Sequence, residues 1–167
     1  MAALLPDAYL RKFSHGCRMV LGAVLGLMIT AAAGLAQAQT MSASEAYSAV
    51  LNDDVIILDI RSPGEWAETG VAKGAWPVTM HDPSFGPNLQ RILEKHPNKP
   101  LALICATGGR SNYVAGILRE RGLLGTIDIA EGMFGNGDAP GWIAGNLPVV
   151  DIATANAEFT ASMLKPE

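Results

Sequence analysis

The sequence predicts an α/β fold, with a mainly parallel central sheet and helices on both faces of the sheet. Short apolar runs at 55–58 and 101–104 are typical of strands that are buried on both sides. Segments with the spacing of amphipathic helices lie between the runs, so strands and helices alternate along the chain. Parallel strands need such crossover connections, whereas antiparallel hairpins do not.

In the first half of the domain, residues 40–52 are predicted to form a helix. Ser42 and Glu45 have the spacing of a capping box at its start. Residues 74–78 are predicted to form an edge strand, because Pro77 cannot donate a hydrogen bond to a second neighbour. The first half therefore supplies one helix and one edge strand around the run at 55–58.

In the second half, the apolar spacing of residues 88–96 and 112–121 predicts two helices that flank the strand at 101–104. A further strand is expected at 127–130, and Trp142 is predicted to begin a final short helix. These elements complete an alternating pattern, which is typical of a parallel sheet.

The N-terminal segment has the layout of a secretory signal peptide. Basic residues precede an uncharged apolar stretch at 19–35, and Ala36-Gln37-Ala38 matches a small-x-small cleavage pattern. Cleavage after Ala38 predicts an exported protein, in a bacterial periplasm, with no stable membrane insertion afterwards. The alternative is an uncleaved anchor facing the periplasm, since about 17 apolar residues approach the lower limit for a membrane span.

The sequence thus divides into a signal peptide at 1–38, a single domain at 39–152 and a C-terminal tail or short helix at 153–167. The domain is long enough to bury a core. The net charge of −4 and the lack of a basic run interleaved with aromatics argue against nucleic acid as a partner. His81 and His96 are isolated and lack metal-ligand spacing, so no metal or cofactor is expected.

The functional interpretation depends on Cys105. This residue follows the strand at 101–104 and begins a glycine-bearing loop that leads into the helix at 112–121. Backbone N–H groups in such a turn and at a helix N-terminus favour negative charge, and the thiolate is the reactive form of cysteine. The sequence predicts a nucleophilic cysteine, against the alternative of an inert buried thiol. Cys17 would leave with the signal peptide, so Cys105 would have no disulfide partner in its own chain.

The residues after Cys105 complete the predicted site. Their backbone N–H groups are expected to hold an anion in an arrangement of the oxyanion-hole type. Arg110 is expected to help hold an anionic substrate, and the alternative is an exposed arginine in the first turn of the helix. The loop residues expected to bind substrate are Ala106, Thr107, Gly108, Gly109 and Ser111.

Asp59 and Arg61 lie at the carboxyl end of the strand at 55–58. Ligands of parallel sheets bind beyond the carboxyl ends of the strands, so Asp59 and Cys105 are expected to share one mouth. We expect Asp59 and Arg61 to brace the Cys105 loop through hydrogen bonds. The alternative is a surface ion pair, which would contribute little to stability.

Three separated segments resemble a rhodanese domain, the family of sulfurtransferases that carry a persulfide on cysteine. Residues 58–75 contain the Asp-x-Arg, Glu-aromatic and Gly-Ala features of the family. Residues 105–111 contain its cysteine, glycine and arginine loop, and residues 131–142 contain Glu-Gly-Met leading to a tryptophan. In this order the segments span about residues 41–150, which is nearly the whole predicted domain.

The chain departs from the family pattern in two places. Val71 stands where the family usually has histidine, and Ala72 replaces a bulky aliphatic residue. This change is expected to affect structure rather than activity. Residues 134–138 make the late loop longer than the common version, and we expect this loop to shape the mouth of the site.

The resemblance implies a sulfur relay in two steps. The Cys105 thiolate attacks the outer sulfur of a donor such as thiosulfate, and an acceptor thiol or cyanide then removes that sulfur from the resulting persulfide. The implied partners are a small sulfur-donor anion, a thiol acceptor and an exported partner protein, with no cofactor.

Three further functions are compatible with the sequence. A cysteine-dependent phosphatase or arsenate reductase has a similar loop, with one more residue between cysteine and arginine. Four residues separate Cys105 from Arg110, a smaller ring that suits a single bound sulfur atom better than a tetrahedral phosphate. The second is a non-catalytic interaction module that keeps the fold, and the third is a sulfur carrier that serves one exported partner.

Overall fold

The computed structural model describes residues 39–165, so the predicted signal peptide at 1–38 lies outside the described residues. The strands are β1 (Thr40–Met41), β2 (Ile56–Asp59), β3 (Val71–Ala72), β4 (Ala75–Pro77), β5 (Leu101–Ile104), β6 (Thr126–Ile129) and β7 (Val149–Val150). The helices are α1 (Ala43–Leu51), α2 (Pro63–Thr69), α3 (Phe85–Lys95), α4 (Gly109–Glu120), α5 (Gly141–Ala144) and α6 (Ile152–Leu164).

The main sheet has five strands in the order β1-β6-β5-β2-β4, and every neighbouring pair is parallel. A second, two-stranded sheet pairs β3 with β7 in antiparallel orientation. Side chains from successive strand residues point to opposite faces of the sheet, because the pleat has a period of two. The parallel main sheet confirms the predicted fold class.

The two faces of the main sheet are covered by different helices. Ile57 and Ile104 pack in one core with residues of α1, α5 and α6. Leu58 and Leu103 pack in a second core with residues of α3 and α4, and Cys105 belongs to this second core. The alternation along β2 and β5 therefore confirms helices on both faces and directs Cys105 towards α4.

The first predicted helix begins later than expected. Thr40 and Met41 form β1 and pair with Asp128 and Ile129 of β6, so they extend the sheet. The capping box at Ser42 is formed as predicted, and it starts α1 at the next residue. A capping residue adopts an extended conformation, and here this conformation separates the strand from the helix.

The C-terminal segment, for which the sequence left a tail or a short helix open, forms α6 as far as residue 164. Asp151 caps this helix by accepting a hydrogen bond from the backbone N–H of Thr154 at 2.9 Å. Phe159 of α6 packs against Trp76 of the edge strand β4, with ring centroids 5.3 Å apart. Within residues 39–165, the helices are all too short or too polar to cross a membrane.

The register of β2 and β5 brings the predicted site residues to one edge of the sheet. Asp59 is the last residue of β2 and lies opposite Ile104, the last residue of β5. The backbone N–H of Ile60 donates to the carbonyl of Ile104 at 3.0 Å. Cys105 therefore leaves the sheet beside the segment that carries Asp59.

Candidate active site

Cys105 lies at the junction of β5 and α4, with its side chain 1% exposed. Its Sγ accepts hydrogen bonds from the backbone N–H and the hydroxyl of Ser111, both at 3.4 Å. Gly108 is the N-cap residue of α4, so the sulfur lies near the N-terminus of a 12-residue helix. A thiolate at this position is stabilised by the helix dipole and by two donors.

The loop predicted to bind substrate surrounds this sulfur unevenly. Ser111 is fully buried, and its backbone N–H donates to Sγ. Its hydroxyl lies 3.4 Å from Sγ and 3.0 Å from the Gly108 carbonyl oxygen, which compete for its one proton. Ala106 is half-buried, whereas Thr107 and Gly109 are exposed. The backbone N–H that contacts the sulfur is therefore that of Ser111.

A late glycine-rich segment is fastened directly to the Cys105 loop. The backbone N–H groups of Met133 and Phe134 donate to the carbonyls of Cys105 and Ala106, at 2.9 and 2.8 Å. Gly132 precedes them, and a Cβ on it would lie 2.6 Å from the Ala106 carbonyl oxygen. The longer loop at 134–138 therefore starts at the Cys105 loop.

Gly108 makes the closest approach between these two loops. Its φ is +86°, and a Cβ on it would lie 2.0 Å from the carbonyl oxygen of Ala130. Residues with a Cβ rarely adopt such a φ, and nothing larger than hydrogen fits against the carbonyl. Glycine is therefore required at this position by both conformation and space.

Arg110 is half-buried and pairs with Glu65 of α2. Its Nη1 donates to Glu65 Oε2 at 3.0 Å, and its Nη2 donates to Oε1 at 2.5 Å. This bidentate bond lowers the pKa of Glu65 to about 2, and the hydrogen bonds from Ser62 act in the same direction. The pKa of Arg110 is raised chiefly by Glu65, and the nearby Cys105 contributes as well.

Glu65 is a site residue that the sequence analysis recognised only as part of a family pattern. It was not expected to contact Arg110, which lies 45 positions further along the chain. The available signal was the Ser62-x-x-Glu65 spacing, a capping box that fixes the carboxylate at the start of α2. His81 also approaches the guanidinium, with Nε2 3.5 Å from Nη1.

Asp59 and Arg61 form a buried ion pair, with both side chains 0% exposed and Nη2 2.7 Å from Oδ2. The alternative of a surface ion pair is therefore wrong. Their further hydrogen bonds differ from the expected ones. Arg61 donates to Thr69 Oγ1 at 2.9 Å and to the Gly70 carbonyl at 2.7 Å, so it holds the end of α2 rather than the Cys105 loop itself.

Asp128 is a second residue that the sequence analysis missed. It lies in β6 opposite Leu103 and is 3% exposed. Within the described part of the chain, its buried Oδ1 has no hydrogen-bond partner. Burial raises the pKa of Asp128, and the nearby Ser111 hydroxyl and Arg119 oppose this shift. An aspartate inside the apolar run at 127–130 was the available signal.

No cluster of three or more His, Cys, Asp or Glu side chains within residues 39–165 has the arrangement of a metal site.

Replacing Gly108 should separate the two loops. We expect Gly108→Ala to lower the free energy of unfolding by about 3 kcal/mol, because it adds backbone strain and a steric overlap with Ala130. Urea denaturation measures the loss. Gly116→Ala, in open space within α4, is the matched control and should be neutral or stabilising. Equal effects of the two substitutions would contradict the required contact.

Removing one partner of the buried ion pair should be strongly destabilising. Asp59→Ala leaves the Arg61 guanidinium buried without its counter-charge, which costs about 3–5 kcal/mol of unfolding free energy. The double variant Asp59→Leu/Arg61→Met removes both charges and should recover much of this loss in the same denaturation experiment. A loss below about 1 kcal/mol for the single variant would show that the pair is not isolated from water.

The buried carboxyl of Asp128 should make stability depend on pH. Since its pKa is raised in the folded state, stability falls as the pH rises from the unfolded value through the raised folded value. We expect Asp128→Asn to be more stable than wild type at pH 7, with this advantage lost in acid below the unfolded pKa. Exposed Asp138→Asn is the control. A less stable Asp128→Asn at pH 7 would contradict the prediction.

The chain is similar to several known proteins in sequence and in structure. The solution structure of a polysulfide-sulfur transferase homodimer from Wolinella succinogenes is 25% identical, with a TM-score of 0.50, and the match covers 78% of this chain and 90% of that one. A rhodanese-like domain protein from Staphylococcus aureus is 24% identical with a TM-score of 0.49, over 68% of this chain and 99% of that one.

An uncharacterized protein of Rickettsia prowazekii (strain Madrid E) is 25% identical over 117 residues, which are 66% of this chain and 95% of the relative. The family model described as the rhodanese-like domain matches residues 42–135, which include β2, α2 and the complete Cys105 loop. This match covers more than half of the sequence, and the chain therefore belongs to the rhodanese-like domain family.

Proposed function

We propose that the protein is a sulfurtransferase that moves sulfane sulfur through a persulfide on Cys105. The donor is thiosulfate or a persulfide, and the acceptor is a thiol or cyanide. The observation that carries the proposal is the position of Cys105 Sγ, at the N-terminus of α4 and 3.4 Å from both donors of Ser111. Family membership and the similarity to a polysulfide-sulfur transferase support it.

The first step forms the persulfide. The Cys105 thiolate attacks the outer sulfur of thiosulfate, a sulfur–sulfur bond forms on Sγ, and sulfite leaves with the electron pair of the broken bond. The Ser111 N–H and hydroxyl stabilise the attacking thiolate. The α4 N-terminus continues to face negative charge after the transfer, because the terminal sulfur of the persulfide is anionic.

The second step restores the thiolate. An acceptor thiolate or cyanide attacks the terminal sulfur, the bond to Sγ breaks, and Cys105 leaves as a thiolate. The site stabilises the same charge at the start and at the end of the cycle. In the second step, the helix terminus and Ser111 stabilise the negative charge that develops on Cys105 as it leaves.

The size of the loop favours sulfur over phosphate as the transferred group. Four residues separate Cys105 from Arg110, and Cys105 is 1% exposed. A persulfide adds one atom about 2 Å beyond Sγ, whereas a phosphoryl group adds a tetrahedral anion with three oxygens. Arg110 also forms an ion pair with Glu65, so its guanidinium is less available to bind a phosphate.

We also propose that the sulfur relay operates outside the cytoplasm, in the periplasm of a bacterium, with a thiol acceptor that includes an exported partner protein. The basis is the N-terminal sequence pattern, with its basic residues, apolar stretch and Ala-x-Ala site. Cleavage after Ala38 would release the rhodanese-like domain.

The proposed reaction predicts a sulfur adduct on Cys105. Incubation of the purified protein with thiosulfate should raise its intact mass by about 32 Da, the mass of one sulfur atom in the covalent intermediate. Cyanide should then remove this mass and release an equal amount of thiocyanate. Cys105→Ser should lose both signals and unfold at the same denaturant concentration as wild type.

Absence of the adduct with both thiosulfate and a thiol persulfide would overturn the proposed function. Release of phosphate from a generic aryl phosphate, lost in Cys105→Ser, would support a phosphatase instead. A sulfur carrier would take up sulfur and transfer it to a protein thiol but not to cyanide.

A further inference from the structure

The guanidinium of Arg110 is the cation that an anionic donor would need, and it already forms an ion pair with Glu65. Both terminal nitrogens of the guanidinium donate to the two carboxylate oxygens in a fork-to-fork arrangement. The two side chains are 26% and 31% exposed, so the pair lies partly out of water. A bidentate pair of this kind neutralises the arginine and limits its geometry for a second anion.

Glu65 is fixed independently of Arg110. The backbone N–H and the hydroxyl of Ser62 donate to its Oε2 at 2.9 and 2.8 Å, which completes the capping box of α2. Its pKa of about 2 keeps the carboxylate ionised at every pH at which the protein would act. The negative charge is therefore a permanent part of the site.

We propose that Glu65 determines donor specificity, because its charge cancels that of Arg110 and so favours a singly charged thiol persulfide over a dianion such as thiosulfate. This inference rests on the proposed sulfurtransferase function and adds the class of donor. Glu65 acts through Arg110 and is not itself a catalytic residue.

The two donors differ in charge but deliver the same atom. With a thiol persulfide, the Cys105 thiolate attacks the outer sulfur, the new bond forms on Sγ, and the thiolate of the donor leaves with the electron pair. With thiosulfate, the leaving group is sulfite, which departs with two negative charges. Both reactions balance without an oxidant or reductant, so the site selects between them by charge and shape.

Arg110 precedes Ser111, whose backbone N–H contacts Sγ, so a donor at Cys105 would lie near the pair formed by Arg110 and Glu65. The fixed negative charge of Glu65 then opposes a dianion more than a monoanion. At the short distances and intermediate dielectric of a half-buried site, one extra unit of charge changes relative binding by roughly tenfold. The measurable quantity is the ratio of kcat/KM for thiosulfate to kcat/KM for the persulfide of 2-mercaptoethanol, a donor that carries no charge other than that of its persulfide. Removing the charge of Glu65 should raise this ratio by roughly tenfold.

The test variant is Glu65→Gln. Glutamine can still accept the hydrogen bonds of Ser62, so α2 keeps its capping box while the site loses one negative charge. The matched control is Glu68→Gln, an exposed residue of the same helix. We expect the ratio to rise in Glu65→Gln and to stay at the wild-type value in Glu68→Gln. An unchanged ratio in Glu65→Gln would overturn the inference.

A second measurement does not depend on sulfur transfer. Iodoacetamide and iodoacetate alkylate Cys105 at the same atom, but only iodoacetate carries a negative charge. Their rate ratio cancels any change in the amount of thiolate, which affects both reagents equally. Glu65→Gln should raise the rate with iodoacetate relative to iodoacetamide, and a mere loss of packing would leave the ratio unchanged.

The sulfur-transfer and alkylation measurements together distinguish a failure of the proposed sulfurtransferase function from a failure of the proposed role of Glu65. If wild type forms no persulfide from either donor but the alkylation ratio shifts, the proposed function fails and the charge role of Glu65 stands. If sulfur transfer occurs but neither ratio shifts, the function stands and the role of Glu65 is wrong.

Discussion

The contact between the Cys105 loop and the segment at 130–134 is the constraint on which the site depends. Two backbone hydrogen bonds join the loops, and Gly108 allows the carbonyl of Ala130 to approach to a distance that no side chain would permit. The contact fixes where β5 ends and where α4 begins. Because α4 starts at this point, its N-terminus and Ser111 face the sulfur.

This arrangement places groups that favour negative charge around the sulfur of the proposed nucleophile. Sγ of Cys105 lies near the N-terminus of α4 and 3.4 Å from the backbone N–H of Ser111. Arg110 lies in the first turn of the same helix, one residue before Ser111. An anionic sulfur at this place, as the proposed persulfide requires, would therefore meet a helix terminus and a backbone donor rather than apolar side chains alone.

Much of the fold and the centre of the site could be predicted from the sequence, because both depend on local patterns. The strand at 101–104, the capping boxes at Ser42 and Ser62 and the loop that follows Cys105 are all contained in short windows. The pairing of Glu65 with Arg110 joins distant positions, and the local Ser62-x-x-Glu65 spacing indicates where the carboxylate lies but not its partner. The sequence alone also does not determine whether Asp59 and Arg61 are buried, since a charged pair that follows a strand can lie at the surface or in the interior.

The buried pair and the mouth of the site are connected through α2. Arg61, held by Asp59, fixes the C-terminal end of this helix through Thr69 and Gly70. At the other end the capping box fixes Glu65, which in turn holds Arg110 at the start of α4. A helix of seven residues is too short to be stable alone, so its position depends on these contacts at both ends. The pair at the end of β2 therefore supports the Cys105 loop indirectly, by setting where the charge of Glu65 meets Arg110.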